Sequence, residues 1–287
     1  MTAPEARPPG TARRVRVRGG LNVSVLSWGE MTARTPLLCL PGLVRTGGDF
    51  AGLAARHCGT RLVLAPDYPG RGASDRAWLW RRYLPERILK DVIDVVAAFG
   101  LRRVVAIGTS LGAVLAMGLA TVRPRMVTAA VLNDAGPEID PSGMGFVHRF
   151  VGTQHRHANL DAAAAYLRDA LPWLSLRTDH EWREMARLTF REAEGGTWVE
   201  NWDRRIARGL DRGVPGDLWD LFAPLARIPA LLVRGGTSNI LSAATAHRMR
   251  ERFPRMAYVE LPGVGHAPTL SEPGLAGTVD AFIGAQA

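Results

Sequence analysis

Between Val104 and Ala116 three signals follow one another without a linker: a β-branched apolar strand (Val104-Val105-Ala106-Ile107), the pentapeptide Gly108-Thr109-Ser110-Leu111-Gly112, and an apolar helix opening at Ala113. A strand and a helix joined by so tight a turn must fold back on one another, which constrains the chain to an α/β layer arrangement. The turn has the form of a nucleophile elbow. Its serine sits in strained backbone geometry that small neighbours permit, with Oγ pushed above the sheet edge. The helix N-terminus beneath offers free amides to a developing anion. In a chain with 31 glycines a bare G-x-S-x-G also arises as an ordinary Gly/Ser turn, and the flanking strand and helix are what favour the elbow.

Apolar runs predict strands near Val15 to Arg18, Leu21 to Ser27, Leu37 to Leu40, Leu62 to Ala65, Val104 to Ile107, Val127 to Leu132, Ala230 to Val233 and Ala257 to Leu261. Helical periodicity between the later ones, as in Pro85 to Val96, gives alternating strand and helix. The expected fold class is α/β, an eight-stranded mostly parallel sheet with helices on both faces and a helical cap insertion. The first two strands lack an intervening helix and should form an antiparallel edge hairpin.

From Ala135 to Arg227 the segment far exceeds what a crossover needs, so it reads as the insertion. Helical stretches are expected around Gly145 to Val151, Asp161 to Leu171 and Asp179 to Glu194. The predicted organisation is a flexible tail over residues 1–12, a core from 13–136 and 228–287, and a cap with a return helix over 137–227. Trp173, Trp182, Trp198, Trp202 and Trp219 either form the core of the insertion or line a pocket above Ser110.

Apolar and charged contents of 47% and 22% are those of an ordinary globular protein, and no run of apolar residues is long enough for a transmembrane helix. The first ten residues lack the apolar core of a signal peptide, so a cytoplasmic location is expected. The net charge of +9 is carried almost wholly by arginine, Lys90 being the one lysine, which looks like a coding bias rather than a phosphate-binding face; no nucleic-acid partner is expected. The two cysteines, Cys39 and Cys58, have no metal-site spacing and read as reduced structural thiols, and no metal or organic cofactor is implied. His155 and His157 are expected at the surface.

Further segments carry a family likeness: Leu40-Pro41-Gly42-Leu43 after the third strand, Asp67-Tyr68-Pro69-Gly70-Arg71-Gly72-Ala73-Ser74-Asp75 after the fourth, the elbow, the long insertion, and Gly263-Val264-Gly265-His266 after the last strand. With these the chain resembles the α/β-hydrolase family from about Val15 to Phe282. The resemblance implies a lidded eight-stranded sheet and a Ser, acid, His triad in that chain order. Ser110 needs a base to take its proton as it attacks a carbonyl, and His266, on a Gly-rich loop, is the candidate. Leu111 and Leu43 are expected to offer the two oxyanion amides. Many relatives carry His-Gly where this chain has Pro41-Gly42. Haloalkane dehalogenases and epoxide hydrolases, which resemble one another in using an aspartate at the elbow, are disfavoured by Ser110.

The acid departs from the pattern. Relatives place an aspartate after the seventh strand, where this chain has Asn239. Three readings compete: Asp134, at the end of the sixth strand in Asn133-Asp134-Ala135-Gly136-Pro137, supplies the carboxylate; Asn239 is an inactivating change; or the protein hydrolyses nothing. Asp134 is preferred, although Asn-Asp before Gly-Pro is also strong turn chemistry. Asp67 and Asp75 are expected to hold their loop, and Arg45 to be solvated rather than to meet a substrate carboxylate. The expected activity is a serine hydrolase cleaving a carboxylic ester or lactone through an acyl-serine intermediate, the partner being a small-molecule hydrophobic ester or lactone of medium or large size. The alternatives are a carbon–carbon bond hydrolase, a cofactor-free peroxidase, or a binding protein with weakened catalysis.

Overall fold

Strands covered on both faces lose the polar alternation of a half-exposed strand, and the apolar runs of this chain behave accordingly. The computed structural model describes residues 10–211 and 216–286. Its strands are β1 (Thr11–Arg16), β2 (Asn22–Trp28), β3 (Leu37–Leu40), β4 (Val63–Pro66), β5 (Val104–Thr109), β6 (Val127–Asn133), β7 (Arg156–His157), β8 (Phe190–Glu192), β9 (Trp198–Glu200), β10 (Ala230–Gly235) and β11 (Ala257–Leu261). Eight of them form one sheet in the order β1-β2-β4-β3-β5-β6-β10-β11. The β1–β2 and β2–β4 pairs are antiparallel and the remaining pairs parallel. All eight expected strands form, with the edge hairpin. The tail expected over residues 1–12 ends sooner, because Thr11 and Ala12 pair with Ser27 and Leu26; residues 1–9 lie outside the described residues.

The helices are α1 (Ala51–His57), α2 (Pro85–Ala98), α3 (Leu111–Val122), α4 (Pro141–Gly152), α5 (Leu160–Ala170), α6 (Asp179–Thr189), α7 (Ala207–Leu210), α8 (Trp219–Phe222), α9 (Ala243–Arg252) and α10 (Leu275–Gly284). Alternate residues of the central strands serve the two faces. Leu38, Leu40, Ala106 and Leu132 pack with α2, α3, α8 and α9, whereas Leu37, Cys39, Ile107 and Val131 pack with α1 and α10. Among the described residues no helix is long and apolar enough to cross a membrane.

Between β6 and β10 the chain leaves the sheet and builds a third apolar cluster around Val151, Leu167, Trp182, Phe190 and Trp202. This layer is not all helical. β7, β9 and β8 form a small antiparallel sheet, and the helix expected to Glu194 stops at Thr189. The β-branched Thr189 and aromatic Phe190 favour strand, but runs of two or three residues are too short to show a period. The return segment ends with Phe222 and Leu225 back in the main core.

The two histidines expected at the surface belong to this layer instead. His155 is buried, its ring within 5.5 Å of Phe150, Tyr166, Phe190 and Trp202, and its Nε2 bonds the Phe150 carbonyl at 2.9 Å. His157 stands 4.7 Å from Phe190. The imidazoles act as aromatic filler in a core separate from that of the main sheet. Of the tryptophans, Trp182 and Trp202 are core, Trp198 packs against them, Trp219 packs on the main core, and Trp173 faces the cavity described below. Trp202, 1% exposed, donates its indole N–H to the Val151 carbonyl. Trp202→Ala should therefore cost about 3–5 kcal/mol, read as a lower unfolding midpoint in urea.

Candidate active site

The elbow is made by two glycines in backbone contact. A Cβ on Gly108 would lie 2.2 Å from the Gly112 carbonyl oxygen, and one on Gly112 would lie 1.8 Å from that of Leu40. Nothing larger than hydrogen fits at either position, so α3 starts hard against β5 and β3. Ser110 between them has φ 55° and ψ −117°, a strained geometry held by its amide bond to the Asn133 carbonyl at 2.9 Å.

His266 lies on the loop after β11, and its Nε2 is 2.9 Å from Ser110 Oγ. Its Nδ1 is 2.8 Å from Asp134 Oδ2. A carboxylate only accepts, so Nδ1 carries the ring proton and Nε2 is left to accept from the serine hydroxyl. Asp134 is fully buried, and its second oxygen accepts from the Gly235 amide at 2.9 Å. Its φ of 56° is a left-handed conformation that aspartate tolerates. Turn chemistry and carboxylate placement, weighed as alternatives in the sequence, are here one arrangement: the turn aims the side chain at the histidine.

Asn239 stands apart from this series. It lines the cavity, its carbonyl abuts α4 where a Cβ on Gly143 would come within 2.5 Å, and among the described residues no hydrogen bond joins it to His266. Leu43 follows Pro41 and Gly42, and a Cβ built on Gly42 would sit 3.8 Å from Ser110 Cβ. Among the described residues the Leu43 amide has no hydrogen-bond partner, and the Leu111 amide belongs to the first turn of α3, which lacks intrahelical acceptors.

Above this floor lies a cavity of about 1210 Å³, walled by Leu43, Ser110 and His266 from the core and by Phe146, Trp173 and Met185 from the insertion. Trp173 also reaches the histidine loop: its carbonyl accepts from the Gly265 amide at 2.8 Å and its indole donates to the His266 carbonyl at 3.0 Å. Asn133 donates to the Pro268 carbonyl at 2.7 Å, tying the far side of that loop to β6. Neither anchor was legible in the sequence, since Trp173 is one of several tryptophans in the insertion and Asn133 reads as part of a turn.

Asp67 and Asp75 hold their loop as expected. Asp67 accepts from the amides of Gly47 and Ala73, and Asp75 from Asn22. Burial raises the Asp67 pKa above the ordinary carboxylate value against those amide bonds. Arg45, expected in solvent, is instead 16% exposed on the cavity wall. Asp49 takes its Nε and Nη2, and Thr189 takes Nη1, so its charge is already answered. Among the described residues no group of three or more His, Cys, Asp and Glu side chains is placed to hold a metal ion.

A family model described as the alpha/beta hydrolase family matches residues 37–276. This chain belongs to the alpha/beta hydrolase family. It is 31% identical over 258 residues to a 3-hydroxybutyrate-oligomer hydrolase of Cupriavidus necator, covering 86% of this chain and 87% of the relative. It is 25% identical to a 2-(acetamidomethylene)succinate hydrolase of Mesorhizobium japonicum, covering 93% and 92% of the two chains. A crystal structure of an alpha/beta hydrolase from Novosphingobium aromaticivorans superposes with a TM-score of 0.91 at 36% identity, over 97% of this chain and 99% of the other.

The acid position is directly testable. Asp134→Asn should lower kcat by about 10⁴, the cost of losing the orienting carboxylate in the serine-protease case. Asn239→Asp should leave kcat within about threefold, because its side chain has no bond to His266 to lose or gain. Steady-state kinetics of the two variants on one activated ester decides between them.

Proposed function

We propose that this hydrolase cleaves carboxylic esters through an acyl-serine intermediate, and the observation that carries the reading is the unbroken series Ser110–His266–Asp134, with bonds of 2.9 and 2.8 Å, at the floor of the cavity. Ser110 Oγ attacks the ester carbonyl while His266 Nε2 takes its proton. Asp134 holds the ring and stabilises the imidazolium. The oxygen that gains negative charge is met by the Leu43 and Leu111 amides, which carry no prior hydrogen bond to break. Collapse breaks the acyl–oxygen bond and His266 returns the proton to the leaving alkoxide. Water then repeats the sequence on the acyl-serine, releasing the acid and restoring the serine.

The buried, paired Asp134 speaks against a binding protein that has lost its acid at position 239. For the substrate, the mostly apolar cavity suits a hydrophobic ester or lactone. Likeness to the 3-hydroxybutyrate-oligomer hydrolase favours a short linear oligoester of a hydroxy acid, which a cavity of about 1210 Å³ has room to hold. A carbon–carbon hydrolase or a peroxidase on this scaffold would use the same serine, and product analysis separates them.

Ser110→Ala should lower hydrolysis of p-nitrophenyl butyrate by about 10⁴ or more with an unchanged circular dichroism spectrum; full activity in that variant rejects the mechanism. Wild-type protein incubated with a 3-hydroxybutyrate trimer should release the monomer acid, measured by chromatography. Rapid p-nitrophenyl ester cleavage with no release from the trimer rejects the oligoester.

A further inference from the structure

The loop that carries the Leu43 amide has no regular structure of its own, yet three successive carbonyls in it are taken. Tyr68 Oη donates to Pro41 O at 3.1 Å, the Arg45 amide to Gly42 O at 3.2 Å, and Arg71 Nε to Leu43 O at 2.8 Å. Tyr68 and Arg71 come from the loop after β4, are essentially fully buried, and line no part of the cavity.

Arg71 is the unusual member. Its Nη1 donates to Pro69 O at 2.7 Å, its Nη2 has no partner, and no carboxylate pairs with it among the described residues. The Tyr68 and Tyr83 rings lie 5.9 and 5.6 Å from its guanidinium carbon. Burial lowers its pKa to about 10, which still leaves it a cation at neutral pH. Burying a guanidinium with no carboxylate in contact, Asp203 acting on it only from a distance, is costly, and a neutral donor would serve a mere tether. The surroundings nevertheless hold it firmly: Gly72 N bonds Asn201 O at 3.0 Å and Asp203 N bonds Gly70 O at 2.7 Å, clasping the arginine's loop to the insertion.

We propose that Arg71, assisted by Tyr68, is the positioning residue of the oxyanion loop: it fixes the peptides on either side of the Leu43 amide and places a buried positive charge behind that donor. This rests on the serine mechanism proposed above. Fixed donors favour the tetrahedral state over the bound ester, so the effect falls on kcat rather than on KM. Losing an oxyanion donor outright costs about 10²–10³ in rate, and misplacing one should cost less, about 10–100-fold.

The test uses Arg71→Gln, Arg71→Lys and Tyr68→Phe with p-nitrophenyl butyrate and octyl trifluoromethyl ketone, which forms a tetrahedral oxyanion adduct on the serine. Arg71→Gln should lower kcat by about 10–100-fold with KM within about threefold, and raise the ketone Ki by the same factor as kcat/KM falls. Arg71→Lys, which keeps the cation and one donor, should recover most of the loss, and Tyr68→Phe should lower kcat by several-fold. A folded Arg71→Gln variant with wild-type kcat and ketone Ki overturns the inference, as does a loss in Arg71→Gln that follows only its folded fraction or that Arg71→Lys does not recover. A wild-type protein that forms no ketone adduct overturns the underlying serine mechanism instead.

Discussion

Everything at the active end of this molecule depends on how closely α3 can approach the sheet. With hydrogen alone at Gly108 and Gly112, the first turn of the helix lies against the ends of β5 and β3. The strain at Ser110 is a consequence of that contact, because no relaxed backbone joins a strand to a helix so near. The same contact sets the oxyanion loop beside the serine, since the Leu40 carbonyl that excludes a side chain at Gly112 is the last of β3. Ser110 and the amides of Leu43 and Leu111 are thus registered by one steric fact.

The remaining parts reach this point from distant segments. Asp134 directly follows β6, His266 follows β11, and both are held at neighbouring strand ends, the first by its backbone bond from Asp134 N to Val233 O and the loop of the second by the side-chain bond from Asn133 Nδ2 to Pro268 O. A parallel sheet makes this economical, because all its C-terminal strand ends open on the same edge. The insertion closes that edge and also grips the histidine loop through Trp173, so the layer that shapes the cavity shares in holding His266.

The sheet was readable from the chain because buried parallel strands leave continuous apolar runs, and Ser110 and His266 stood out as candidates because each lies on a glycine-rich turn directly after a strand. Asp134 was readable only as one of several possibilities, since its turn chemistry and its carboxylate role use the same residues. The insertion was read less well. His155 and His157 look like solvated polar residues until a separate aromatic core is there to take them, and β7, β8 and β9 are too short to leave a period. Arg45 and Arg71 show the same limit: whether an arginine is exposed, paired or buried is decided by partners far along the chain, and local pattern holds no record of them.

The pairing of Asp134, just past β6, with His266 has a consequence for the loop after β10. Where a carboxylate must stand on that loop, its backbone is bound to the proton relay and can hardly change. Here the loop from Gly236 to Leu241 meets α4 and the cavity, with Asn239 as wall and no tie to His266. In the mechanism proposed above, a change of size or polarity at position 239 leaves the Ser110–His266–Asp134 series untouched, so that selectivity and chemical competence can be inherited independently.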